Sequence, residues 1–114
     1  MTDKIVVLVT CRSEKQAQKI GRRLVEAELA ACANILRVPV ASIYRWKGRV
    51  ERAREFLMIL KTTRARFAAM GREVRRLHSY EVPEIIALPI ERGSSDYLKW
   101  VSRSVRLPVR RHRA

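Results

Sequence analysis

The chain has 114 residues, and its 25 Lys and Arg against 11 Asp and Glu give a formal net charge of +14. That length supports a single domain with its own core, and two cysteines, Cys11 and Cys32, are too few for a disulfide framework and read as free thiols. No apolar stretch is long enough to cross a bilayer, and Met1 to Lys4 lead into a strand with no signal peptide, so a cytoplasmic location without membrane partners is expected.

The basic excess either draws an anionic partner or only keeps solvated faces soluble. The second reading is preferred, because Lys and Arg are spread over every segment instead of being gathered in one block.

Ile5 to Val9 is a β-branched and Leu run, too short for a core helix, and reads as a strand buried on both faces. Thr10, Cys11 and Arg12 connect it to Ser13, an N-cap with Gln16 three places on in a capping-box pattern. Ala17, Ile20, Leu24 and Ala27 then recur at spacings of three and four, which predicts a helix with one buried stripe; Gly21 in its middle implies a close neighbour. Small residues from Ala30 to Asn34 turn the chain into a long strand, Ile35 to Trp46, which Pro39 interrupts with a bend, a bulge or an edge.

Lys47, Gly48 and Arg49 form a hairpin turn. The return strand, Val50 to Lys61, starts charged and exposed at Glu51, Arg52, Arg54 and Glu55, so its first half projects from the core, and it becomes apolar from Phe56 to Leu60. Thr62 or Thr63 caps a second helix whose stripe is Phe67, Met70, Val74 and Leu77. His78 ends that helix, and Tyr80, Glu81 and Glu84 follow it ahead of the last main strand, Glu84 to Ile90. Gly93, Ser94 and Ser95 recap a short helix with Leu98, Val101 and Val105 on its inner stripe. The domain spans 1–106, and 107–114 is a basic tail containing His112.

The order βαββαβ with an added C-terminal helix predicts an α+β, ferredoxin-like antiparallel sheet with two helices on one face. Phe56 to Leu60 and Ile85 to Leu88 are apolar on both alternations, so the second face needs cover. Further copies of the chain would supply it, with the hairpin around Trp46 and Lys47 as a reaching arm.

Read in order, LAACANI (Leu29 to Ile35), SIYRWKG (Ser42 to Gly48), ILKTT (Ile59 to Thr63), HSYEVPEIIALPI (His78 to Ile90) and DYLKW (Asp96 to Trp100) make the chain resemble the CutA divalent cation tolerance family. The resemblance covers roughly Ile5 to Val101. It implies a ferredoxin-like subunit in a homotrimer similar in architecture to the PII signalling proteins, a bacterial cytoplasmic location, and a role in tolerance of divalent metals such as copper. Two departures stand out. The family usually reads His-Pro-Tyr where this chain has His78, Ser79 and Tyr80, and Val9 stands where some relatives carry a cysteine proposed as a metal ligand. Cys11, two residues later, keeps the same side of an extended chain.

For a metal, the candidate ligands are His78, Glu84 and Cys11, with Glu81 and Tyr80 nearby. One His and one Glu do not close a tetrahedral site, so an adjoining subunit or water would complete it, and the affinity order puts Cu2+ first. A histidine at a helix end equally reads as a cap for the last carbonyls. A ligand cleft is expected from Tyr80, Lys61, Trp46 and Tyr44, with the aromatics stacking a ligand or anchoring an oligomer arm, and Lys61 meeting a small anion or Glu84. Cys32 among alanines reads as a small buried hydrophobe.

The chain carries no G-x-S-x-G, no Gly-rich phosphate loop and no paired catalytic carboxylates, so a binding or signalling module is expected and not an enzyme. The alternative is a basic RNA-binding or anion- or nucleotide-binding module of the same topology. Base stacking needs aromatics on the first and third strands, where Phe56 alone is aromatic, and a nucleic-acid partner is therefore not expected.

Overall fold

The computed structural model describes residues 2–106, and the basic tail expected over 107–114 lies outside the described residues. The elements run β1 (Lys4–Cys11), α1 (Glu14–Glu26), β2 (Cys32–Ile35), β3 (Val40–Trp46), β4 (Arg49–Thr63), a 3-10 turn (Arg64–Arg66), α2 (Phe67–Leu77), β5 (Ile85–Pro89) and α3 (Ser95–Ser104). This is an α+β fold on an antiparallel sheet ordered β2-β4-β1-β5, with β3 paired only to β4.

Alternation along the strands sorts the two faces. On one, Ile5, Val7, Val9 and Cys11 of β1 join Met58 and Leu60 of β4 and the buried stripes of α1 (Ala17, Ile20, Leu24) and α2 (Met70, Val74) in a single core. The fit is close at Gly21, where a Cβ would meet the Ala33 Cβ at 3.0 Å and the Met58 Sδ at 3.1 Å. The neighbour implied by that glycine is therefore the β2–β4 pair. Ser13 caps α1 by accepting the Gln16 N–H at 3.1 Å, but the reciprocal half of the box is not made, since the Gln16 Oε1 is buried without a partner. Outside the core, Glu73 on α2 accepts from Arg76 and from Arg23 on α1, and these bonds hold its carboxyl down at about 2.

Several boundaries differ from the sequence reading, among them the end of β1, which runs on through Thr10 and Cys11 where a connector is expected. β2 starts at Cys32, because the alanines serve packing, Ala30 and Ala33 toward the main core and Ala31 toward α3, and not the turn itself; the turn is made by Glu28 at φ 57, with the Leu29 and Ala30 N–H groups both donating to the Leu24 carbonyl. The single long strand splits into β2 and β3, since Pro39 offers no N–H and the chain leaves the ladder after Ile35. Thr63 makes no side-chain cap; a 3-10 turn precedes α2, while the buried Thr62 hydroxyl donates to the Leu29 carbonyl at 2.8 Å.

A hairpin forms at the expected place, with Arg49 in β4 and not in the turn. Lys47 (φ 50) and Gly48 (φ 78) make a two-residue turn whose positive φ values match the twist of the flanking strands. From Arg49 to Glu55, β4 pairs with β3 alone, so the arm projects and leaves Ile43 and Val50 in solvent. Against the exposure expected of this first half, Glu55 is buried and Glu51 is half-buried.

The second face of the sheet is only partly covered. Cys32 turns to it, opposite to Ala33, and meets Tyr97 of α3 there, while Val101 and Val105 pack on Ala31 as a small separate cluster. Farther along, Ile86 and Leu88 remain 49% and 50% exposed.

Candidate functional site

The end of β1, the arm and the loop from His78 to Glu84 enclose a cavity of about 610 Å3. The loop is built from the end of α2. His78 leaves the helix in extended conformation after donating its own N–H to the Val74 carbonyl at 2.8 Å. Its ring is buried and used on both sides. The Tyr80 N–H donates to Nδ1 at 3.0 Å, so the proton sits on Nε2, which donates to the Thr10 carbonyl at 2.8 Å.

Tyr80 continues the chain of contacts. Its ring lies against the imidazole, with centroids 4.7 Å apart, and its hydroxyl donates to Glu55 Oε2 at 2.8 Å. Burial, followed by the bond to Glu55 and its charge, pushes the Tyr80 hydroxyl well above the usual phenol range. Burial also pushes the Cys11 thiol up to about 11, with the Glu55 charge adding to the effect. One hydrogen-bonded path thus ties β1, the loop and β4 together around a withdrawn carboxylate.

Of the residues picked out from the sequence, Tyr44, Trp46, Tyr80 and Glu84 all line the cavity, together with Glu81, Glu55 and the hydroxyl-bearing Thr10, Ser42 and Ser79. Three do not line it. His78 stands behind the wall with both ring nitrogens engaged, so it has no lone pair for a metal. Cys11 alternates with Thr10 and therefore points into the core under the helices, where its thiol keeps its proton. Lys61 lies on β4 opposite Cys32 and donates to the Asn34 Oδ1, away from Glu84. Among the described residues, no three His, Cys, Asp or Glu are grouped to hold a metal ion. The described side chains of one chain therefore do not fit a complete metal site.

Glu55 is the residue sequence reasoning misplaced. Its signal was the alternation itself: Glu55 shares a face with Leu57 and Ile59, and by register with Val40, Ser42, Tyr44 and Trp46. The cavity opens on the same incompletely covered side of the sheet as Thr10.

Comparison with known proteins adds a family. A model of the family described as CutA1 divalent ion tolerance protein matches residues 5–104. The chain is 43% identical over 99 residues to the divalent-cation tolerance protein CutA of Archaeoglobus fulgidus, covering 87% of this chain and 95% of that protein. It is 50% identical over 97 residues to the protein of the same name from Thermus thermophilus, covering 84% and 92%. Protein CutA of Mus musculus is 48% identical over 93 residues, covering 82% of this chain, and the chain spans only 52% of that relative. The solved structure of the A. fulgidus protein, described as periplasmic, superposes with a TM-score of 0.86 at 42% identity, covering 90% of this chain and 98% of that one.

Proposed function

The chain belongs to the CutA1 divalent ion tolerance family, and on that footing we propose that it serves divalent-cation tolerance as a homotrimeric, ferredoxin-like and PII-like binding or signalling module, not as a catalyst. One observation carries the reading. Glu55, Glu81 and Glu84 line the cavity, and among the described residues no Lys or Arg does, in a protein of net charge +14. Such a hollow locally reverses the field and favours cations over phosphates. The same property weighs against RNA, a nucleotide or a small anion as its occupant.

The trimer rests on uncovered apolar surface. Val82 beside the cavity is 67% exposed and Ile86 and Leu88 are half exposed, more than a monomer leaves bare on one side of a sheet, and Ile43 on the other face of the arm is 72% exposed. Neighbouring copies would close that face and bring donors to the solvent-facing Glu81 and Glu84. A mixed site completed this way takes Cu(II) ahead of other divalent ions by the general affinity order. A non-catalytic role is supported by the proton-retaining Cys11 and Tyr80 and by the fully engaged imidazole, none of which is poised as nucleophile or base. Free thiols at Cys11 and Cys32 suit the reducing cytoplasm.

Calorimetric titration of Cu(II) into the wild type and into a Glu81→Gln, Glu84→Gln double variant tests the site. Saturable binding that weakens at least about tenfold in the double variant is expected. Equal affinity in both moves the site elsewhere.

A further inference from the structure

Several features of the cavity go beyond what a metal ion needs. Tyr44, Trp46 and Tyr80 line it beside the carboxylates, with the Lys47 ammonium 5.8 Å from the Trp46 ring centroid and the Tyr80 ring against His78. A hard divalent ion takes oxygen ligands, whereas ring faces attract alkylammonium groups. The volume of about 610 Å3 leaves room for a molecule as well as an ion, and within one chain the glutamates do not converge into a metal-holding group.

Glu55 supplies an independent observation. It is only 7% exposed, it lines the cavity, its hydrogen-bond partner is the neutral Tyr80 hydroxyl, and among the described residues no cationic side chain pairs with it. A withdrawn carboxylate without a counter-charge is costly unless something cationic meets it. With 25 Lys and Arg in the chain, an internal partner was readily available, yet the cavity side of Glu55 has none among the described residues.

Resting on the reading of this hollow as a cation site, we infer that it takes an organic polycation, a linear aliphatic polyamine carrying two or three ammonium groups. One ammonium meets Glu55 among the aromatic rings, and a second reaches Glu81 and Glu84 at the mouth, with Ser42 and Thr10 as further acceptors. The methylene segments lie on Tyr44 and Trp46. The net charge of +14 repels such a molecule from the rest of the surface, so saturable uptake is a local property of the hollow.

The test is calorimetry on the full chain with spermidine as the probe at fixed ionic strength, run beside Cu(II). The variants are Glu55→Gln, Trp46→Leu and the exposed pair Glu81→Gln, Glu84→Gln, the last keeping the test open if Glu55→Gln does not fold. Saturable binding at one site per chain is expected, weakened at least about tenfold by either glutamate change and about threefold or more by Trp46→Leu. Absence of saturable spermidine binding, or equal affinity in every folded variant, overturns the inference. Cu(II) binding without spermidine binding overturns this inference alone; spermidine binding without Cu(II) upholds it and overturns the metal reading; loss of both overturns the cation site itself.

Discussion

The Tyr80 hydroxyl donates to the Glu55 carboxylate at 2.8 Å, joining a loop at the end of α2 to the middle of β4 across 25 residues of chain. Glu55 is buried, so this bond carries more than a surface contact would. Tyr80→Phe removes the donor and leaves the carboxylate desolvated, and a loss of about 1.5–3 kcal/mol is expected for a hydrogen bond to a charged group. Denaturant unfolding at constant chain concentration measures it. A loss below about 0.5 kcal/mol would show that water replaces the hydroxyl freely.

His78 sits one step back along the same path. Because Tyr80 N–H donates to its Nδ1 and its Nε2 donates to the Thr10 carbonyl, nitrogen NMR of the imidazole should report the Nε2–H tautomer. Adding diamagnetic Zn(II) should leave those signals in place, since neither nitrogen is free to ligate. A shift of an imidazole nitrogen to the metal-bound range on adding Zn(II) would return the imidazole to the candidate ligands.

The two thiols should separate cleanly by reactivity. Cys11 is fully buried and pushed up to about 11, whereas Cys32 is half-buried at the edge of the sheet. A thiol reagent at neutral pH should therefore label Cys32 and spare Cys11 in the native protein. The folded state keeps a proton that the unfolded chain releases from about 9 upward, so stability contributed by the protonated thiol is complete below 9.0 and declines as pH rises toward about 11. Equal labelling of both cysteines at neutral pH contradicts the burial.

Much of this was legible beforehand, and the reasons are local. The stripes Ala17–Ile20–Leu24 and Phe67–Met70–Val74 each read as one helix because their spacing depends only on the helical repeat, and both lie in the core. The Lys47–Gly48 turn was legible from residue type alone. The placements of Lys61, Cys11 and Glu55 were not legible, because they are set by register and facing, which a linear pattern leaves open. Lys61 is drawn to Asn34 by the β2–β4 pairing, and Glu55 is withdrawn by a tyrosine from a distant loop. His78 was read as both a helix end and a possible ligand; the bonds to Thr10 and Tyr80 make it a strut.

Gly21 offers a test of the packing between α1 and the sheet. Alanine improves helix propensity by up to about 1 kcal/mol. Against that, the new methyl meets Ala33 at 3.0 Å and Met58 at 3.1 Å, and forced overpacking costs about 1–3 kcal/mol. Gly21→Ala should lower the thermal midpoint. A raised midpoint would mean that the Met58 thioether moves aside without strain.

The proposed site is complete only if copies of the chain close the half-bare face carrying Ile86, Leu88 and the mouth of the cavity. Light scattering on a size-exclusion column measures this directly. The predicted result is a mass of about 40 kDa, three times the 13.3 kDa chain, held over a range of concentrations. A mass of 13.3 kDa would leave the cavity open to solvent and without donors from a neighbour, and would contradict the proposed site.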